Sequence, residues 1–361
     1  MPNTLPLHEL HLASGALMEE VCGWLLPTQY GDPVREHRAV REAAGLVDRS
    51  LVGKVEVTGR DRVSFLQGML TNDLKALAPG QGCPAAFLDA HGKVQALLTV
   101  FMLEDRLLLE LPPGMTEKTL QALDKFLISE RVVFADVTEA FALLGLHGPA
   151  AASILAGMTG SQAELEPFQH VERSLGEAPV RLCRVDELGV PGFHLWIPGQ
   201  HGADLWRQLL DVGRPYGVVP VGGSAVTVLR VEAGIPWFGH DVDEGTLLME
   251  APLEHLVHYS KGCYIGQEVV ARIKYRGHVN RFLTGLALEG ARLPASGAVV
   301  VAGEREVGRI TSSVHSLALN RPIALALLRR EQQNPGTTVT VKDHDQIIPA
   351  RVTALPFVGP A

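Results

Sequence analysis

The sequence predicts an α+β protein that ends in a small β-barrel. Three observations carry that prediction. The chain has 361 residues, enough for two or three packed units. Up to about residue 281, helical and alternating apolar patterns are interleaved. From Phe282 onward only short alternating runs remain, separated by Gly, Pro and Asn. The boundary therefore falls near residue 281, with an α+β region over 1–281 and a barrel over 282–361.

Taken in order, residues 1 to about 30 carry little pattern and read as a poorly specified arm. Val34 to Ala44 alternates Arg and Glu at helical spacing, and Gly45 ends it. Leu46 to Ser50 then reads as an extended turn. Lys54 to Gly59 alternates polar and apolar residues, as a half-buried strand does. A helix beginning at Thr58 follows, with Val63, Phe65, Leu66 and Leu70 on its apolar face. Ala85–Leu88 and Gln95–Leu103 pair as a hairpin through Asp89-Ala90-His91-Gly92. Arg106–Leu111 is a strand, Thr116–Leu127 a helix, and Val132–Val137 and Ala142–Leu146 are strands. The stretch 147–226 repeats this texture: a helix after His147-Gly148-Pro149, strands at Val180–Val185 and Phe193–Ile197, and a helix from Gly202.

Composition excludes several classes. The chain is 46% hydrophobic and 20% charged, with no biased tract, so it can bury a core. A formal charge of −8 is unsuited to non-specific nucleic-acid binding. The four cysteines, Cys22, Cys83, Cys183 and Cys263, form no C-x-x-C pair and fit a reducing cytoplasm. The first twenty residues contain no Lys or Arg, unlike an export signal, and no run qualifies as a membrane span. No phosphate-binding glycine loop, H-E-x-x-H or G-x-S-x-G motif occurs. His255 and His258 lie three apart, but one packed and one solvated histidine explains them without a metal, and no metal site is expected.

Four segments carry chemistry. Tyr259 to Glu268 places Cys263 just before an expected helix, with Lys261 two residues away. Helix N-terminal N–H groups and an ammonium favour a thiolate. A buried cysteine packed as a small hydrophobe is the equal alternative. Arg230 and Glu232 share one face if their segment is extended, and the Gly/Pro-rich loop after them, with Trp237 and Phe238, could receive a flat heterocycle. Asp73 follows a helix end, where the dipole disfavours a carboxylate; Asn72-Asp73 is equally a turn former. Arg272 to Arg281 concentrates positive charge, suited to a phosphate, an RNA backbone or an anionic ligand tail.

In this order the segments resemble the glycine-cleavage T-protein superfamily. Gly45–Ser50, Val57-Thr58-Gly59 and Phe65–Asp73 resemble its N-terminal block. Arg230–Asp241 resembles its R-x-E-A-G-x-x-x-x-G-x-D block. Lys261–Glu268 is similar to the K-G-C-Y-x-G-Q-E signature of the YgfZ-like branch. The resemblance spans nearly the whole chain. It implies a three-lobed ring around a central folate channel, with two interleaved α+β lobes before the barrel. By that resemblance the cofactor is tetrahydrofolate or a one-carbon derivative. Asp73 would stand near the reactive end of the folate, and Arg230 and Glu232 would line the channel wall. Tyr264 and Gln267 would contribute to folate binding, and Cys263 and Lys261 would sit on the rim as catalytic candidates with Asp73.

Two departures separate the chain from the T-protein pattern. Gln95 and Ala96 stand where that pattern has paired aspartates. Val190 stands where it has a glutamate before Gly-Phe. The expected function is thus a tetrahydrofolate-binding accessory protein for iron–sulfur cluster assembly or repair, with iron–sulfur proteins or their assembly factors as partners. The alternatives are a tetrahydrofolate-dependent aminomethyltransferase or methyltransferase and, third, an RNA-binding module.

Overall fold

A computed structural model describes residues 2–160, 164–175 and 178–360. Met1 and Ala361, the outer ends of the two expected regions, lie outside them.

The first thirty residues are ordered, contrary to the expected arm. Strand β1 (Asn3–Thr4) is followed by helix α1 (His8–Ala13), β2 (Leu17–Val21) and β3 (Trp24–Gln29). Strands β2 and β3 form a hairpin closed by Cys22 and Gly23, both at positive φ (50° and 81°). Two left-handed residues give a turn whose twist matches the strands; Cys-Gly is a rare way to spell it, which hid the hairpin. Buried His11 anchors α1. Its ring bonds Asp48 on one nitrogen and Tyr30 on the other, each at 2.8 Å, against Trp206.

Helix α2 (Pro33–Glu42) starts one residue before the expected helix. Asp32 caps it by accepting from Val34 N–H at 2.9 Å, and Pro33 suits the first turn. Strand β4 (Gly45–Asp48) takes in residues 46–48, expected as part of a turn. Its neighbours on both sides supply the ladder that a four-residue segment cannot reveal alone. Next come β5 (Gly53–Thr58), α3 (Arg62–Met69), β6 (Gly82–Leu88), β7 (Val94–Met102), β8 (Leu107–Leu111), α4 (Thr116–Asp124) and β9 (Val133–Asp136). Thr58 ends a strand rather than opening a helix, because Gly59 at positive φ turns the chain before Arg62.

The chain then returns with β10 (Phe141–His147), α5 (Ala151–Thr159), β11 (His170–Leu175), β12 (Ala178–Val185), β13 (Gly192–Pro198), α6 (Gly202–Gly213), β14 (Val219–Pro220) and α7 (Gly223–Glu232). Besides the small β1-β3-β2 sheet, a first large sheet has the order β11-β12-β13-β10-β4-β14 and a second β6-β7-β8-β5-β9. The first sheet thus takes β4 from before the second sheet and its other strands from after it. An apolar layer of Val52, Phe101, Leu108, Leu143, Val185 and Trp196 joins the two.

After a long loop and α8 (Gln267–Arg276), the strands β15 (Arg281–Leu288), β16 (Val299–Ala302), β17 (Arg305–Ser316), β18 (Arg321–Arg329), β19 (Thr338–Asp343) and β20 (Gln346–Thr353) close a barrel in the order β15-β18-β17-β16-β19-β20. The architecture is therefore mixed α+β with a closed six-stranded C-terminal barrel. The tail returns to the first region: Val358 N–H donates to the Glu232 carbonyl at 3.0 Å. Among the described residues no helix is long and apolar enough to cross a membrane.

Candidate functional site

A dense polar cluster lies in the seam between the two sheets. On the first sheet, β10 and β13 run antiparallel. Gly145 faces His194 and His147 faces Gly192. Residues two apart on a strand share a face, so both histidines project from one side, each opposite a glycine. The glycines are a steric requirement. A Cβ on Gly145 would lie 2.5 Å from His147 Nε2, and one on Gly192 would lie 2.2 Å from His147 Nδ1.

Glu187, in the loop between β12 and β13, completes this face. Its Oε1 lies 3.0 Å from His194 Nε2 and 3.4 Å from His147 Nε2. Its Oε2 accepts from Arg49 Nη2 at 2.7 Å. From the second sheet, Glu110 on β8 crosses the seam. It bonds His194 Nδ1 at 2.7 Å and accepts from Trp196 Nε1 at 2.6 Å. Arg49 also approaches the half-buried Trp237 ring, 5.9 Å from its centroid, and Arg230 lies 4.7 Å from the same centroid. Glu187 and Arg49 keep about a fifth of their side-chain surface in solvent (23% and 18%), so the seam is open on their side.

The charges are strongly coupled. Burial opposes the protonated form of His194, but Glu110 and Glu187 outweigh it and raise the pKa to about 10. Burial also opposes ionisation of Glu187, yet Arg49 and His194 hold its pKa well below the usual carboxylate range. His147 is shifted down, chiefly by burial. Behind them, fully buried Lys54 donates to the carbonyls of Ser50 and Val52 at 2.8 and 2.9 Å; burial lowers its pKa to about 8.

The residues singled out by sequence fall into three other groups. Arg230 and Glu232 are not on an extended segment: they sit on α7, where positions two apart point to nearly opposite sides. The apolar positions that keep this helix packed, Ala225, Val226 and Leu229, lie before the motif and outside its reading frame. Arg230 is buried and bonds Asp241 at 2.6 Å and Ser312 at 2.8 Å. Asp241 in turn accepts from Thr311 and Ser312, each at 2.6 Å. Glu232, also buried, accepts from Ser316 at 2.6 Å and from Ala318 N–H at 3.0 Å, and bonds His37 at 2.7 Å. Burial alone would raise its pKa, but these hydrogen bonds bring it below the usual value. Both residues thus clamp α7 to the barrel strand β17 and the turn after it.

The third group surrounds the end of α3. Lys261 turns its ammonium to the carbonyls of Gln67 and Leu70 (2.6 Å to the latter), neutralising the negative helix pole. Burial brings its pKa to about 8. Asp73 accepts from Gln67 Nε2 at 2.9 Å and from Lys75 N–H at 3.2 Å. Tyr264 presents its ring 5.2 Å from the Lys261 ammonium, and burial raises its phenol to about 12. The Gln267 side chain accepts from Tyr264 N–H at 3.1 Å. Cys263 is exposed, flanked by Gly262 and Gly266 at positive φ. That corrects the buried-hydrophobe alternative. Helix α8 begins only at Gln267, and Lys261 is engaged with α3. In the basic segment, Lys274 pairs with Glu254 and Arg281 with Glu250, while Arg272, Arg276 and His278 are exposed.

The substituted positions are also placed. Ala96 is fully buried in the core of the second sheet, and Val190 is buried beside Val221 and Leu229. Gln95 is half-buried. The four cysteines do not assemble: Cys83 and Cys183 lie in different cores, and burial raises both thiols, that of Cys83 to about 12.

Two α+β sheets meeting at a charged seam, closed by a six-stranded barrel, define the class of protein. Comparison places it within that class. Residues 7–261 match the GCVT N-terminal domain, and residues 281–359 match the glycine cleavage T-protein C-terminal barrel domain. The chain belongs to the glycine-cleavage T-protein family. It is 33% identical over 357 residues to an aminomethyltransferase of Chlorobium luteolum, covering 98% of this chain and 97% of that one. It is 31% identical over 356 residues to an aminomethyltransferase of Bacillus subtilis, covering 98% of each. The crystal structure of glycine cleavage system aminomethyltransferase T from Bartonella henselae superposes with a TM-score of 0.91 at 28% identity, covering 100% of this chain and 99% of that one. These relatives carry the name aminomethyltransferase rather than that of the YgfZ-like branch.

Proposed function

We propose that this protein binds tetrahydrofolate, or a one-carbon derivative of it, and transfers an aminomethyl-type one-carbon unit. The observation that carries the reading is the half-open end of the seam, where Trp237 and Arg49 lie together in a chain similar to aminomethyltransferases along its whole length. A flat heterocycle needs an aromatic face, and an anionic tail needs a guanidinium. Asp73, Tyr264 and Gln267 are proposed as further folate contacts. Arg230 and Glu232 serve the site by fixing α7, from which the Trp237 loop departs. Burial of the ligand between two sheets would exclude water from an aminomethyl intermediate.

The test is a tetrahydrofolate titration followed by intrinsic fluorescence, then an assay with an aminomethyl donor. Saturable binding with turnover supports the proposal. No saturation at millimolar ligand overturns it.

A second reading is favoured by two specific observations: the exposed Cys263 thiol, and Gln95 and Ala96 where paired aspartates are expected. It is the YgfZ-like role, a folate-binding accessory factor for iron–sulfur proteins in the cytoplasm. Folate binding without turnover, together with loss of iron–sulfur enzyme activity in cells carrying only Cys263→Ala, would select it. Unchanged iron–sulfur activity in those cells would remove Cys263 from any such mechanism.

A further inference from the structure

We propose that His147, Glu187 and His194 bind a divalent transition-metal cation of the Zn²⁺ type. The inference goes beyond the folate reading and does not depend on it.

Four observations support it. First, the donor set is two imidazoles and one carboxylate, with one ligand atom from each lying within 4.8 Å of the others. Glu187 Oε1 is 3.0 Å from His194 Nε2 and 3.4 Å from His147 Nε2. Metal–ligand bonds of about 2.0–2.1 Å put the ligand atoms of a tetrahedral site roughly 3.3 Å apart, so little movement is required.

Second, His147 is fully buried, yet neither ring nitrogen has a hydrogen-bond partner. The 3.4 Å approach to Glu187 is outside hydrogen-bond geometry. A buried imidazole left unpaired carries a desolvation cost, and a cation at Nε2 would offset it. The ring is also held tightly: Gly145 and Gly192 leave room for it and for nothing larger than hydrogen at their own Cα atoms.

Third, His194 bonds Glu110 through Nδ1 at 2.7 Å, on the nitrogen opposite the one facing Glu187. A carboxylate behind a histidine fixes the ring and raises its basicity, the usual support of a metal-bound imidazole. Glu110 also accepts from Trp196, so it is itself fixed.

Fourth, Arg49 engages only Oε2 of Glu187 and leaves Oε1 to the histidines. The arginine adds positive charge nearby, which weakens cation binding, but it also restricts the carboxylate to single-oxygen coordination. The partly exposed side of Glu187 leaves a fourth position for water or a small ligand. Imidazole and carboxylate together favour Zn²⁺ or a neighbouring transition ion over Mg²⁺ or Ca²⁺, which prefer all-oxygen sets.

The experiment uses tag-free full-length protein, stripped with chelator, reloaded with Zn²⁺ and freed of excess. Zinc per chain is measured by mass spectrometry, and Co²⁺ loading is followed by its visible spectrum. One ion per chain with a tetrahedral Co²⁺ spectrum is expected. His147→Gln and Glu187→Gln should each weaken binding by about 100-fold or more, and Glu110→Gln by about 10- to 100-fold. Near-UV circular dichroism confirms the fold of each variant. Should His147→Gln misfold, Glu187→Gln decides, because it is isosteric and partly exposed. Substoichiometric binding by the wild type overturns the proposal. So does unaltered binding in Glu187→Gln, which would put the ion on surface histidines. Parallel folate titrations of the metal-free protein keep the two proposals separable.

Discussion

The Cys263 loop and the His147–Glu187–His194 seam are opposite ways of building a polar site. The loop is contiguous, is held by positive-φ glycines and exposes Cys263. The seam is assembled from β8, β10, β13 and the loop before β13, and its histidines are buried. Cys263 can change without disturbing the core; the buried histidines are part of it. Exposed and buried chemistry in this chain therefore have different costs, and variants can measure them.

The largest effect is expected at the clamp beside the seam. Asp241→Ala leaves the buried Arg230 guanidinium without its 2.6 Å partner. Removing one partner of a buried pair costs about 3–5 kcal/mol, and denaturant unfolding should show it. A loss below about 1 kcal/mol would mean that the clamp is wetter than its burial indicates.

A smaller effect is expected for Trp237→Ala, which should lower tetrahydrofolate affinity by about tenfold through lost ring contact. Equal affinity in the variant would move the ligand away from the seam.

In chelator-stripped protein, where no ion displaces the Nε2 proton of His194, the seam should also reveal itself by pH. The folded pKa of His194 is raised from 6.5 to about 10, so its contribution to stability is full below pH 6.5 and is lost as pH rises towards 10. Lys54 and Lys261, both brought to about 8 by burial, act in the opposite direction and already do so between pH 7 and 8. The His194 contribution is therefore read as a difference: between pH 7 and 8 the stability of the wild type relative to His194→Gln should fall by about 1 kcal/mol per pH unit. A difference flat over this interval would break the assignment of a charged His194.

The smallest effect is expected at the loop. Cys263→Ala should shift stability by no more than about 0.5 kcal/mol, since the side chain is exposed. A larger shift would show that the thiol packs in solution.

Much of the fold was legible because alternation and helical spacing are local signals. Five of the six barrel strands, the β6–β7 hairpin and α4 followed from them, whereas β20 (Gln346–Thr353) did not. Strand β4 did not: four residues, Gly45 to Asp48, become a strand only when β10 and β14 lie beside them. The glycine and proline after Arg230 and Glu232 suggest a loop, whereas the packing of Ala225, Val226 and Leu229 makes their segment a helix. The loop site was visible because its residues are consecutive. The seam was not, because its partners are separated by up to 138 residues, as between Arg49 and Glu187. One trace was present: Gly145-Leu146-His147 and Gly192-Phe193-His194 are the same G-x-H pattern on two strands. Antiparallel register converts that repeat into two histidines on one face.

The placement of β4 has a consequence for how the chain reaches this structure. Its antiparallel neighbour β10 begins at Phe141 and its parallel neighbour β14 at Val219. During synthesis the apolar Gly45–Asp48 strand must therefore wait, unpaired, while the whole β5–β9 sheet is made. Such non-local pairing slows folding and leaves an edge exposed to aggregation. The second sheet, complete within residues 53–136, can form first and hold the β4 end near the point where β10 will arrive. Pulse-labelled hydrogen exchange should then find amides of β5 to β8 protected before those of β4 and β10. The reverse order would mean that the discontinuous sheet nucleates the molecule.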